Sequence, residues 1–189
     1  MKLTKIKKLC LEAKRFVIVD GLRCQWIGNG KHFFRVYGAR FDLDGLEKLL
    51  DVKEKKAAEC DFDEWNERDA PEWQGIFDAT EVQAFPVADV WGYDQKLLAL
   101  NVEGRVCYLR YDALDCLEQD VRRTYTLRRV NDMTRIVCSR GVIAEAIFTP
   151  IADEDAQRLN EALLKVAEAP AFSIQAQEAA PVTFKEVRA

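Results

Sequence analysis

The chain lacks most of the features that announce a chemistry. Among 189 residues there is one histidine, and the six cysteines (10, 24, 60, 107, 116 and 138) form no CxxC pair. Zinc ribbons, zinc fingers and haem attachment therefore lose their ligand spacing. Six thiols in a chain of this length are too dilute for a disulfide scaffold, so reduced cysteines in a cytoplasm are expected. No apolar run approaches the ~18 residues that span a bilayer. Met1–Arg15 carries lysines but no apolar stretch of signal-peptide length. No serine-nucleophile motif and no phosphate loop is present. What the chain does have is core-forming material, 49% hydrophobic and 10% aromatic residues, enough to exclude a chain disordered throughout.

Charge is unevenly placed. The formal net charge is -4, yet residues 1–40 hold ten Lys/Arg against Glu12 and Asp20. Residues 59–81 hold nine acids against Arg68 alone, and residues 122–140 hold six arginines against Asp132. Such segregation has two readings. A basic surface can meet phosphates, or the acidic stretch folds back over the basic one and neutralises it.

Periodicity gives an α+β outline. Leu3, Ile6, Leu9, Cys10 and Ala13 fall on one arc of a helix over 4–14, opposite Lys5, Lys7, Lys8, Lys14 and Arg15. Asp20-Gly21 and Asn29-Gly30 suit hairpin turns and divide 15–37 into three strands. Helices follow from Asp42 and, after a capping box at Asp51 and Glu54, toward Glu59. The acidic, aromatic-bearing residues 60–81 read as an ordered loop or short helices. Pro86 marks 82–91 as an edge strand, and Glu103-Gly104 joins the next hairpin. A helix from Asp112 closes at Arg122 and Arg123; strands at 124–130, 133–139 and 142–149 precede a last helix over 153–167.

The expected fold class is therefore α+β: antiparallel sheets from three meanders (15–37, 85–110 and 124–149), four main helices, and a repeated α-β-β-β unit. One domain covers 1–169, with halves 1–60 and 82–169 joined by the acidic segment 61–81. The tail 170–189 is rich in Ala, Pro and Gln, yet Phe172 and Ile174 alternate, as do Val182 and Phe184, so it is expected to dock.

Candidate chemistries mostly fail on geometry. A Cys24–His32 dyad is disfavoured because a two-residue Asn29-Gly30 turn puts the two side chains on opposite sheet faces. Gly28-x-Gly30 runs into a strand, not into the helix N-terminus a dinucleotide needs. Asp61-x-Asp63 has Trp65 and Asn66 where a calcium loop wants an oxygen ligand and a glycine. The pairs Asp42/Asp44 and Asp112/Asp115 sit where carboxylates cap helices. No catalytic residue, metal or cofactor is expected.

Two surfaces remain. The basic residues Lys5, Lys8 and Arg15, with Arg122 and Arg123, are candidate nucleic-acid contacts across two equivalent helices. Trp65, Trp73, Phe172 and Phe184 are candidates for an interaction surface. Both faces of the first meander are apolar, Val17, Val19, Leu22, Cys24, Trp26, Phe33 and Tyr37 on one and Phe16, Ile18, Ile27, Phe34 and Val36 on the other. A sheet with one wet face alternates more cleanly, so one face is expected to pack helices and the other to meet another layer, the tail or another subunit.

Three runs carry a resemblance: Lys5-Ile6-Lys7-Lys8-Leu9-Cys10, Gln25-Trp26-Ile27-Gly28-Asn29-Gly30 and Leu50-Asp51-Val52-Lys53-Glu54-Lys55-Lys56. Over these first 56 residues the chain resembles uncharacterised proteins of Firmicutes prophages and mobile elements. That resemblance implies no activity. The doubled α-β-β-β order is similar to one domain of the sliding DNA clamps, in element order alone. The expected function is non-enzymatic binding of a macromolecular partner, by a protein surface or by self-association. A clamp-like DNA-binding accessory of replication or recombination is the alternative, and an enzyme of unknown reaction the third.

Overall fold

The computed structural model describes residues 1–21, 24–38, 40–66, 81–92, 94–119, 122–130 and 133–168. The chain divides into two compact units, Met1–Ala152 and Asp153–Ala189. The second unit contributes helix α5 (Asp153–Glu168), opened by Asp153, Glu154 and Asp155, whose carboxylates suit the positive end of the helix dipole.

In the first unit, α1 (Leu3–Ala13) buries Ile6, Leu9 and Cys10 along one side and ends at Lys14, left-handed at φ 52. Strands β1 (Arg15–Asp20), β2 (Gln25–Gly28) and β3 (His32–Val36) pair antiparallel in chain order. Helices α2 (Leu43–Leu49) and α3 (Glu54–Ala57) follow, the first capped by Asp42 accepting from the Gly45 N–H at 2.7 Å. Strand β4 (Asp61–Asn66) returns to the sheet. Next come β5 (Val82–Gly92), β6 (Gln95–Val102), β7 (Arg105–Arg110), helix α4 (Tyr111–Leu114), β8 (Thr124–Val130), β9 (Met133–Arg140) and β10 (Ile143–Phe148). The ten strands form one sheet in the order β4-β1-β2-β3-β10-β9-β8-β5-β6-β7. The architecture is α+β.

Both sheet faces are buried around β1–β3. Phe16, Ile18, Ile27, Phe34 and Val36 join Ile6 and Leu9 of α1 in the larger core cluster. Val17, Val19, Trp26 and Phe33 join Val137, Ala144 and Ile147 in a second cluster on the other face. Gly28 sits where a side chain has no room, since a Cβ would lie 1.9 Å from the His32 carbonyl oxygen.

Three expectations need correction. Residues 61–66 are a strand, not loop or helix, and β4 lies parallel to β1 in an otherwise antiparallel sheet. Its alternation explains this: Phe62 stacks on Phe16 (centroids 4.9 Å apart), while Trp65 meets Phe33 at 5.7 Å on the other face. Secondly, the helix from Asp112 is one turn long rather than reaching Arg123, and the described residues hold five helices, two of them a single turn. The Cys116 carbonyl accepts from the Lys2 N–H at 2.7 Å, and Asp115 holds Lys5. The Cys116 carbonyl, which a further helical turn would use, is thus taken by the N-cap residue of α1. Thirdly, Asn29-Gly30 is not a two-residue turn. Gly28 pairs with Phe33, and the Asn29 side chain accepts from the N–H groups of Lys31 and His32.

Candidate interaction surface

Strand β5 divides its partners. Val82–Ala84 pairs with β8, and Phe85–Gly92 pairs with β6, with a register shift between Pro86 and Ala88. Bulges and prolines belong at sheet edges, where a ladder can end and a missing N–H costs nothing. Beyond Ala84, no described strand pairs the side of β5 that faces away from β6. The strand is anchored from behind by Leu97, Leu98 and Leu100 of β6, all buried. Along the open stretch Phe85 is 60% exposed, Val87 61% and Trp91 74%.

Charge near this edge is settled within the protein. Asp89 accepts from Lys96 at 2.6 Å and from the Tyr111 hydroxyl at 2.5 Å, and the Lys96 ammonium lies 4.2 Å from the Tyr111 ring centroid. The Lys96 hydrogen bond, then that of Tyr111, holds the Asp89 carboxyl below the usual range. Asp89 in turn keeps Lys96 protonated to higher pH. Burial and Asp89 raise the Tyr111 phenol. Such groups stay in their pH 7 states, so this face offers backbone donors, backbone acceptors and apolar side chains, not proton transfer.

Most of the predicted basic contacts are engaged by carboxylates of the chain. Lys5 pairs with Asp115 at 2.7 Å, and Arg15 pairs with Asp63 at 2.6 Å while lying 5.4 Å from the Trp65 ring centroid. Arg123, expected to close a helix, instead precedes β8 and pairs with Glu145 at 2.9 Å, both side chains about nine-tenths buried. Arg140 shares that carboxylate at 3.0 Å. Arg122 is exposed, also outside any helix. Lys8 remains on the α1 surface, 77% exposed.

Of the predicted interaction residues, Trp65 is half-buried against Phe33, and Trp73, Phe172 and Phe184 lie outside the described residues. His32 shares the face of Phe148, whereas Cys24 packs against the Val17–Trp26 cluster, so no dyad forms between them. Sequence reasoning placed β5 at an edge through Pro86 but missed Phe85, Val87 and Trp91 as a group. Their signal was an apolar strand whose proline barred a second full neighbour. No helix among the described residues is long and apolar enough to cross a membrane. Compared with protein-family models, curated proteins and solved structures, the chain matches none of them.

Proposed function

We propose that the chain is a non-enzymatic cytoplasmic binding protein, of the prophage or mobile-element type that its first 56 residues resemble, acting through a protein partner on the open edge of β5. One observation carries this reading: the stretch from Phe85 to Gly92, unpaired on one side among the described residues, with Phe85, Val87 and Trp91 exposed. A row of unpaired N–H and C=O groups is a template for an added strand. Main-chain bonds supply affinity in that mode, and flanking side chains supply selectivity. Proteins that need to keep an edge closed place unpaired charge, proline or a bulge on it, so Pro86 and the adjacent register shift confine the open template here to Ala88–Gly92. Here Asp89 is already neutralised by Lys96.

Photo-crosslinking tests the edge directly. A benzophenone side chain at Trp91 is expected to capture one protein, either a partner or a second copy, and one at the exposed Lys48 of α2 is not. Val87→Lys should abolish the Trp91 crosslink at an unchanged melting temperature. Equal capture at both positions, or none at Trp91, counts against the proposal.

A second reading has its own support. The strand order is symmetric about the β3–β10 pair, β1-β2-β3 against β10-β9-β8. Helix α1 precedes β1, α4 precedes β8, and the two helices pack together. That order favours a duplicated α-β-β-β unit and, with it, a clamp-like DNA accessory. Retention on closed circular duplex, with loss from the same duplex once linearised, is the expected behaviour of a ring; equal retention on both removes this reading.

A further inference from the structure

A groove of about 430 Å³ runs between α1 and α3, lined by Thr4, Lys7, Lys8, Leu11, Glu12 and Lys56. We propose that this groove is a nucleic-acid site that takes the phosphodiester backbone without reading bases. Three ammonium groups face one carboxylate along the lining, so the local charge is positive although the chain is acidic. The neutralising contact of Lys8 is loose, while Lys7 is about three-quarters buried. Lys8 stands 3.7 Å from Glu12, and Lys7 donates to the Asp51 carbonyl while its ammonium lies 3.7 Å from an Asp51 carboxylate that is 96% exposed. Lys56 is exposed at the end of α3, with Lys53 and Lys55 exposed beside it. By contrast, Lys5 and Arg15 hold their carboxylates at 2.7 and 2.6 Å. Exposed pairs at the longer spacing contribute little and yield to a stronger anion.

The choice of nucleic acid follows from what the groove omits. Among the described residues its only apolar lining residue is Leu11, and the apolar side of α1 (Ile6, Leu9 and Cys10) is buried in the core. An interfacial helix needs that side to enter a lipid surface. Lysines act toward phosphate as point charges, and a groove with ammonium groups on both walls follows a linear polyanion. No arginine lines it to form bidentate bonds with a base edge or a carboxylate.

The test is fluorescence anisotropy of the full chain with a labelled mixed-sequence oligonucleotide, single-stranded and duplex, over a NaCl series. Each phosphate contact contributes roughly 0.7 to 0.9 to the slope of log affinity against log salt. Three contacts give an expected slope of about -2 to -3. Lys8→Gln with Lys56→Gln should weaken binding and flatten the slope by about 1.4 to 1.8, at an unchanged melting temperature. Lys48→Gln, outside the groove, should change neither. Absence of parental binding at the lowest salt, or an unchanged slope in the double variant, overturns the proposal. So does tighter binding to phosphatidylserine vesicles or polyglutamate than to either oligonucleotide.

Discussion

His32 lies 5% exposed on the core face of β3, its ring 5.8 Å from that of Phe148. Burial pushes its pKa down to about 4; nearby Asp112 opposes the shift, while Arg110, Lys31 and Arg135 add to it. In the unfolded chain an imidazole titrates near 6.5. Between these values the unfolded state binds the extra proton, so stability rises with pH through the window and is lost as pH falls from 6.5 toward 4. The full span is worth about 3 kcal/mol. The urea midpoint is expected to fall on acidification from pH 7 to 5, above the range where carboxylates dominate. His32→Gln should flatten that fall; a variant as steep as the parent would assign the dependence to other groups.

The same residue shows what a sequence can carry at this scale. The expected turn put Gly28 opposite Lys31, and the structure puts it opposite Phe33. The slip is two residues, and side chains alternate with period two, so every residue kept its face. That is why the two apolar sets read from the strands, apart from the exposed Tyr37 and from Leu22 outside the described residues, fall into the two observed core clusters, although the register was wrong. Asn29 caused the slip. Its carboxamide oxygen accepts from two following N–H groups and widens the loop, a choice that Asn-Gly alone does not reveal.

At the scale of elements, legibility depended on whether the stabilising partner was local. Helix α1 was plain from its own period, and α2 from Asp42 and its leucines. Strand β4 was hidden because its acids suggested solvent, and its partner strand lies some 45 residues earlier. Asp63 is tolerated in the strand because Arg15 reaches it, and Asp61 because its side chain is exposed to solvent. Helix α4 failed in the opposite direction. Leu114 and Leu117 kept a helical period, and Leu117 is buried as that period requires. The chain reaches this position through tight i→i−3 turns, Cys116 N–H to Ala113 and Leu117 N–H to Leu114. Periodicity constrains where a side chain points, and two backbone paths satisfied it. The candidate edge was legible in the same partial way: Pro86 announced an edge, but which side chains it left uncovered depended on where β8 stops pairing.

Across the first unit, part of the segregated charge is neutralised within the protein. Asp63 and Glu81, near the two ends of the acidic segment, bind Arg15 and Arg128, the latter pair buried at a nitrogen–oxygen distance of 2.8 Å. Those arginines belong to the two basic stretches, so part of the segment does fold back on them. Lys8 of α1 and Lys56 of α3, which border the groove, remain exposed to solvent. Net charge could not separate these outcomes, because each pair depends on strand order.

The thiols report on this first unit as a single body. All six cysteines are free. Cys10, Cys116 and Cys138 are buried in the larger core cluster, drawn from α1, the α4 exit and β9. Burial, with Cys116 and Cys60 nearby, raises the Cys10 thiol far above its usual range. Burial likewise takes Cys116 and Cys138 up to about 12. Thiolate is the reactive form, so these three need both exposure and a proton-accepting surround before they react. Cys24, Cys60 and Cys107 are only partly covered. Site-resolved maleimide labelling at pH 8 should therefore modify Cys24, Cys60 and Cys107 in the native protein. The other three should follow together, at a rate that rises with urea as global opening does. Labelling of Cys10 well ahead of Cys138 would mean that α1 leaves the sheet on its own, and the core would then be two cooperative bodies instead of one.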